Sequence, residues 1–163
     1  MKNIILIGVI VLSNVMLSQV AIGKTSVDGD GLLDFASGTT KGIVLPKVTT
    51  LTPQVGSLVF DAVDKKVKLY NGEWIDLSIN EGAVDTSDQD PYSEEGGTMI
   101  IGSETTSATG VLVLESTTKA LILPKIASPH LNVKNPSPGM ICYDTDKDLL
   151  AVYNGLEWAF WRK

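Results

Sequence analysis

Apolar positions follow two patterns along this chain. Near the start they form one almost unbroken run, IILIGVIVL at residues 4–12. Thereafter they come as short runs: Gly31–Ala36, Gly42–Pro46, Ser57–Asp61, Lys66–Tyr70 and Trp74–Leu77, then Val111–Glu115, Leu121–Pro124, Met140–Tyr143, Leu149–Tyr153 and Trp158–Trp161. Runs this short, rich in Val, Ile, Leu and aromatics and divided by Gly, Pro, Asn, Asp and Thr, predict β-strands joined by turns. No window after the first segment carries a helical period. The predicted class is therefore all-β and hairpin-rich. Asn71-Gly72 has the composition of a two-residue hairpin loop, which places Tyr70 opposite Glu73 and Leu69 opposite Trp74. A three-residue loop Asn154-Gly155-Leu156 places Tyr153 opposite Glu157 and Val152 opposite Trp158.

The strand runs repeat. Residues 22–78 align with 101–163: Ile22-Gly23 with Ile101-Gly102, Gly31 with Gly110, Thr39-Thr40-Lys41 with Thr117-Thr118-Lys119, and Leu45-Pro46-Lys47 with Leu123-Pro124-Lys125. Further on, Gly56 matches Gly139, Asp61 matches Asp144, Tyr70-Asn71-Gly72 matches Tyr153-Asn154-Gly155, and Trp74 matches Trp158. The expectation is two tandem copies of one unit. Copy one occupies 19–78 and copy two 98–163. Residues 79–97 between them, INEGAVDTSDQDPYSEEGG, have the polar, acidic composition of a solvated linker. A unit of about 60 residues without disulfide or metal is near the lower limit for an independent core. Runs such as Leu121-Ile122-Leu123 and Met140-Ile141-Cys142 would leave one sheet face uncovered, so a neighbouring subunit is expected over it.

The first run reads as an address. Lys2 precedes an apolar stretch of about 14 residues, short of the roughly 20 needed to cross a bilayer, and small and polar residues follow it. Residues 1–18 are the expected signal peptide, cut after Ser18 to leave Gln19 first and no membrane span behind. Ala21 and Gly23 would also permit a cut after Gly23, but Ile22-Gly23 belongs to the repeat. The expected location is outside the cytoplasm: periplasmic, cell-surface or secreted.

Charge and chemistry narrow the function classes. The net charge is −6, with 13 basic against 19 acidic residues, which gives a nucleic-acid partner no electrostatic footprint. With one Cys and one His, no intrachain disulfide or Cys-rich metal site is available. Cys142 aligns with Val59 in an apolar strand and reads as core, while His130 reads as a loop residue. Gly38–Gly42 lacks the spacing of a phosphate loop. Asp28, Asp30 and Asp34 are spaced as in a calcium loop, and Asp85, Asp88 and Asp90 faintly so. The repeat aligns the first three with Ser107, Thr109 and Val113, so the acids are dispensable to the unit, and too few oxygen ligands are in view for calcium. The expectation is no catalytic site, no metal and no cofactor. Tyr70, Trp74, Tyr153, Trp158, Phe160 and Trp161 are either core and interface residues or a sugar-stacking platform. The first option makes the chain a structural module, and the second a small carbohydrate-binding, lectin-like module for a surface glycan.

The unit resembles repeat segments of exported Bacteroidota proteins and the related stalk segments of phage tail fibres. The resemblance lies in Val20–Gly23, Leu33-Asp34-Phe35, Thr40–Lys47, Gly56–Asp61 and Tyr70–Trp74, with their second-copy counterparts. It departs in copy two, where Val113 replaces the Asp of the Leu-Asp-Val-like strand. The resemblance implies a trimeric, fibre-like β architecture, a homo-oligomer with a structural or adhesive role, and as partner a glycan or another surface protein.

Overall fold

The structure, a computed structural model, describes residues 19–87 and 97–162. The expected signal peptide 1–18, the acids Asp88 and Asp90, and Lys163 lie outside the described residues. What is described is largely β-stranded, in short strands gathered into four sheets, with one helical turn.

β1 (Val20–Ile22) and β2 (Leu33–Phe35) form a parallel pair. β3 (Ile43–Val44) follows, then a sheet in the order β4 (Lys47–Val48), β5 (Leu58–Asp61), β6 (Lys66–Tyr70), β7 (Trp74–Asp76). Among the described residues the second half follows the same order, without a strand at the place of β3. β8 (Met99–Ile101) and β9 (Leu112–Leu114) are again a parallel pair. A sheet then runs β10 (Lys125–Ile126), β11 (Met140–Asp144), β12 (Leu149–Tyr153), β13 (Trp158–Trp161), with the one-turn helix α1 (Pro129–Asn132) inserted after β10. Registers correspond as well. Lys47 lies beside Phe60 in parallel, as Lys125 lies beside Tyr143, and the Phe60 and Tyr143 amides donate to the Pro46 and Pro124 carbonyls at 2.9 Å each. The β5–β6 and β11–β12 turns each carry one left-handed residue at the same place, Lys65 (φ 54°) and Asp148 (φ 55°).

Three expectations are corrected. The first concerns the hairpins. Tyr70 lies opposite Trp74 and Leu69 opposite Ile75, while Tyr153 lies opposite Trp158 and Val152 opposite Ala159. Each loop is one residue longer than expected because asparagine side chains take part in the turn. The Asn154 Oδ1 accepts from the amides of Leu156 (2.9 Å) and Glu157 (2.8 Å), and the Asn154 amide donates to the Glu157 carbonyl at 3.1 Å. The Asn71 amide likewise donates to the Glu73 carbonyl at 3.1 Å. The pair kept across the insertion of Leu156 is thus tyrosine with tryptophan.

The second correction concerns the apolar runs. Leu121–Pro124 forms no strand: Leu121 packs with Leu32, Leu33 and Ile101, Leu123 joins the main core, and Ile122 stays exposed. Met140, Ile141 and Cys142 are all buried, and the cover comes from the same chain. Ile141 faces a cluster that mixes Leu45, Phe60, Val67 and Leu77 with Val152, while Met140 and Cys142 pack with Ile126, Val133 and Ala151. The halves therefore share one core, and burial alone gives no motive for a second chain over β11. β3 crosses between them, pairing antiparallel with β11 (Ile43 opposite Ile141, Val44 opposite Met140).

The third concerns the start of the linker. Polar composition predicted solvation, yet the backbone of 80–85 is bound on both sides. The Gly82 amide donates to the Lys65 carbonyl at 2.8 Å and the Ala83 amide to the Asn154 carbonyl at 3.0 Å. The Asn154 Nδ2 donates to the Asn80 carbonyl at 3.2 Å, and Lys47 Nζ to the Asp85 carbonyl at 2.9 Å. Its small and polar residues serve close backbone approach and pairing.

Candidate functional site

The loop between β1 and β2 brings two of the three candidate calcium ligands together and fills the space with a lysine. Lys24 Nζ lies 2.7 Å from Asp28 Oδ2 and 2.6 Å from Asp34 Oδ2, and the Asp28 amide donates to Asp34 at 2.5 Å. The Lys24 ammonium and the Asp28 amide hold the Asp34 carboxyl below its ordinary value. Asp30 is exposed. Among the described residues no group of three or more His, Cys, Asp and Glu is placed to hold a metal ion.

A second charged cluster belongs to the first half only. Lys68, whose side chain is 8% exposed, bonds Asp61 Oδ2 at 3.0 Å and also Asp64. Burial pushes the Asp61 carboxyl up, but the Asp64 amide, Lys68 and the Val63 amide together outweigh it and hold the pKa below 3.8. Burial likewise pushes Lys68 down, and its two carboxylate partners carry it net above 10.5. A depressed carboxylate contributes stability above its unfolded pKa and loses it as pH falls through the folded one. A raised lysine contributes below its unfolded pKa and loses it as pH rises through the folded one. The expected stability profile therefore falls below about pH 4 and above about pH 10. In urea titrations across pH, Lys68→Met should flatten the alkaline limb and reduce the acid one. An unchanged profile would show that the cluster contributes nothing. At the matching position in the second half, Ala151 replaces the lysine, and Asp144 Oδ2 is buried without a partner among the described residues.

Cys142 is fully buried, and desolvation, with the nearby Asp144 charge, pushes its thiol up to about 12. That lowers the thiolate fraction near neutral pH roughly thousandfold, so the sulfur is no nucleophile. A thiol reagent at pH 8 should leave Cys142 unmodified in the native protein and label it fully in urea. Native labelling at the unfolded rate would overturn this. His130 lies on α1, not in an irregular loop, with its ring edge-on to Phe160 at 5.8 Å.

The aromatic candidates pack on one another. Tyr70 and Trp74 meet edge-to-face, 5.2 Å apart at 61°, and Tyr153 and Trp158 are tilted at 48° and 5.3 Å. Trp161 joins the main core, and Tyr153, Trp158 and Phe160 pack against the cluster around Cys142. These are cross-strand pairs holding hairpins closed, with ring planes too steeply inclined to stack on one sugar together.

The remaining surface feature is apolar and asymmetric between the halves. Leu32 and Leu33, before and in β2, are 3% and 5% exposed, whereas their counterparts Val111 and Leu112 are 66% and 44% exposed. Val44 and Ile122, themselves counterparts, are 48% and 38% exposed. The sequence pattern marked all six as strand-forming and gave no sign that Leu32 and Leu33 would be covered while Val111 and Leu112 are exposed. The clasp of Asn154 and Gly155 on residues 80–83 was missed too; the inserted Leu156 is the signal that this hairpin has a separate task.

Residues 100–162 match a family model described as a phage tail like trimerisation region. No curated protein and no solved structure matches the chain. The match takes in the second half from β8 to β13, and no helix among the described residues is long and apolar enough to cross a membrane. The described residues are largely β-stranded, and residues 100–162 resemble a trimerisation-type region.

Proposed function

We propose that this chain is an exported structural module that assembles as a homotrimer, within a fibre-like structure at the cell surface or secreted from it. The observation that carries the proposal is the match of residues 100–162 to a trimerisation region. The exposed apolar side chains of Val111, Leu112, Val44 and Ile122 are consistent with it, since a partner laid over them would remove that area from water. In this reading residues 1–18 are the signal peptide, and 19–78 and 98–163 are two copies of one unit. The common strand order and registers of the two sheets support the duplication. β1 begins at Val20, and Gln19 Nε2 donates to the Gly29 and Gly31 carbonyls at 3.2 and 3.0 Å. Cleavage after Ser18 keeps these contacts, whereas cleavage after Gly23 would remove β1. Residues 79–97 connect the copies, with their first part fastened to both.

Light scattering of the purified protein at micromolar concentration should give the mass of three chains, and N-terminal sequencing of the exported form should begin at Gln19. A monomer mass would overturn the assembly. A retained Met1 on protein collected outside the cytoplasm would overturn the signal.

A further inference from the structure

We infer that the contacts joining the first unit to the second within one chain recur between chains, the second unit of each chain joining the first unit of the next, so that three chains close as a ring of six similar units. The inference rests on the duplicated, trimeric reading above and adds which surfaces meet.

The junction within the chain has two halves. In the forward half, β3 of the first unit lies on β11 of the second, and the Leu45 amide donates to the Gly139 carbonyl at 3.0 Å. In the return half, the second unit reaches back onto the first. The Leu32 amide donates to the Ala120 carbonyl at 3.3 Å, and Ile122 covers Gly31 so closely that a Cβ there would meet its Cδ1 at 2.9 Å. The counterpart of Gly31 is Gly110, where an added Cβ would meet, among the described residues, Val113 and Leu112 of the strand that follows it.

Transposing each residue to its counterpart gives a second junction, and among the described residues neither of its halves is made. For the forward half, the donor is Leu121–Leu123 and the acceptor is the edge of β5 at Gly56–Leu58. Among the described residues Leu121–Leu123 has no strand partner, and β4 pairs with β5 at Phe60 and Asp61. The Phe60 amide points to Pro46 on that edge, so strand alternation turns the Leu58 amide the same way. For the return half, Gly42–Val44 would cover Gly110 and Val111, as Ala120–Ile122 covers Gly31 and Leu32. Val111 is bare and Leu32 buried because the chain supplies only one of the two covering segments.

A second copy of the chain fits both vacancies at once. Its β5 edge takes Leu121–Leu123, and its own Gly42–Val44 folds back on Val111. The contact has a head and a tail, so it closes only as a ring and would otherwise run on as a filament. The trimerisation match sets the ring at three chains.

Paired cysteines test the junction. Ser57 and Ile122 are the counterparts of Met140 and Val44, which oppose each other across β11 and β3. Such directly opposed positions lie within disulfide reach, at roughly 4.5–5.5 Å between Cα atoms. The Ser57→Cys/Ile122→Cys variant, oxidised and run without reductant, should give bands of two and three chains, and each single variant none. Val44→Cys/Met140→Cys should link within one chain. The buried Cys142 does not compete. A trimer mass with no link between chains, or with a Ser57→Cys/Ile122→Cys link inside one chain, would overturn the junction and leave the trimer standing. A monomer mass would overturn both. If the double variant does not fold, hydrogen exchange of the unaltered protein decides. The Leu58 and Leu123 amides should be protected to within about tenfold of Ile43 and Ile141; free exchange at both would overturn the inference.

Discussion

Gly155→Ala should unfold the protein, or nearly so, under conditions in which Gly72→Ala leaves it folded. The two glycines hold the same place in equivalent hairpins, and both are left-handed, with φ +97° and +110°. Each substitution therefore carries the same backbone strain, about 1–2 kcal/mol. Their surroundings differ. No atom of the described residues lies within 4 Å of a Cβ on Gly72, while a Cβ on Gly155 would sit 1.8 Å from the Ala83 carbonyl oxygen and 2.9 Å from its carbon. The obstacle is backbone, and it can retreat only by breaking the bond from the Ala83 amide to the Asn154 carbonyl. Gly82 offers the reciprocal test, since a Cβ there would lie 1.7 Å from the Asn154 carbonyl oxygen. Gly155→Ala and Gly82→Ala should each cost about 4 kcal/mol or more, a large share of the roughly 5–15 kcal/mol that holds a domain folded. Urea unfolding followed by far-UV circular dichroism would measure all three. Near-equal midpoints for Gly72→Ala and Gly155→Ala would show that residues 80–83 are not clasped.

The same clasp marks where sequence reading stopped. Strand positions were legible because turn residues bracket each run: Lys66–Tyr70, Leu149–Tyr153 and Trp158–Trp161 form strands over those same residues. Loop length was not legible, because whether an asparagine side chain takes part in the turn depends on rotamer and neighbours. At Asn154 that one choice moved every cross-strand pair by one position. Composition misread residues 80–85 for a related reason. Gly82 and Asn80 look like linker residues, yet small size and amide groups are also what close backbone packing requires. Met140-Ile141-Cys142 was rightly read as needing cover on both faces. What a linear pattern cannot hold is who supplies it, and here Phe60 and Val67 of the other half do so on one side. Among the candidate site residues, Asp28 and Asp34 do converge, but on Lys24, a partner no ligand spacing would nominate.

Phe60→Ala should destabilise both halves together. Phe60 is fully buried in a cluster drawn from Leu45, Val67 and Leu77 on one side and Ile141 and Val152 on the other. Its Cβ lies 3.2 Å from where a side chain on Gly139 would begin, so it fills the angle where β11 starts. Removing the ring leaves a cavity between two sheets that are each tethered by their own hairpins and cannot easily close on it. The expected cost is about 3–5 kcal/mol. Two reporters separate a shared core from two adjacent ones. One protein keeps Trp74 with Trp158 and Trp161 replaced by Phe, and the other keeps the second pair with Trp74 replaced. Both should be melted at one protein concentration, because the proposed assembly would make the midpoint concentration-dependent. In a shared core, Phe60→Ala lowers the fluorescence midpoint by the same amount in both proteins, through one transition. If only the Trp74 signal moves, the halves fold independently, and the burial argument for a covering subunit regains its force.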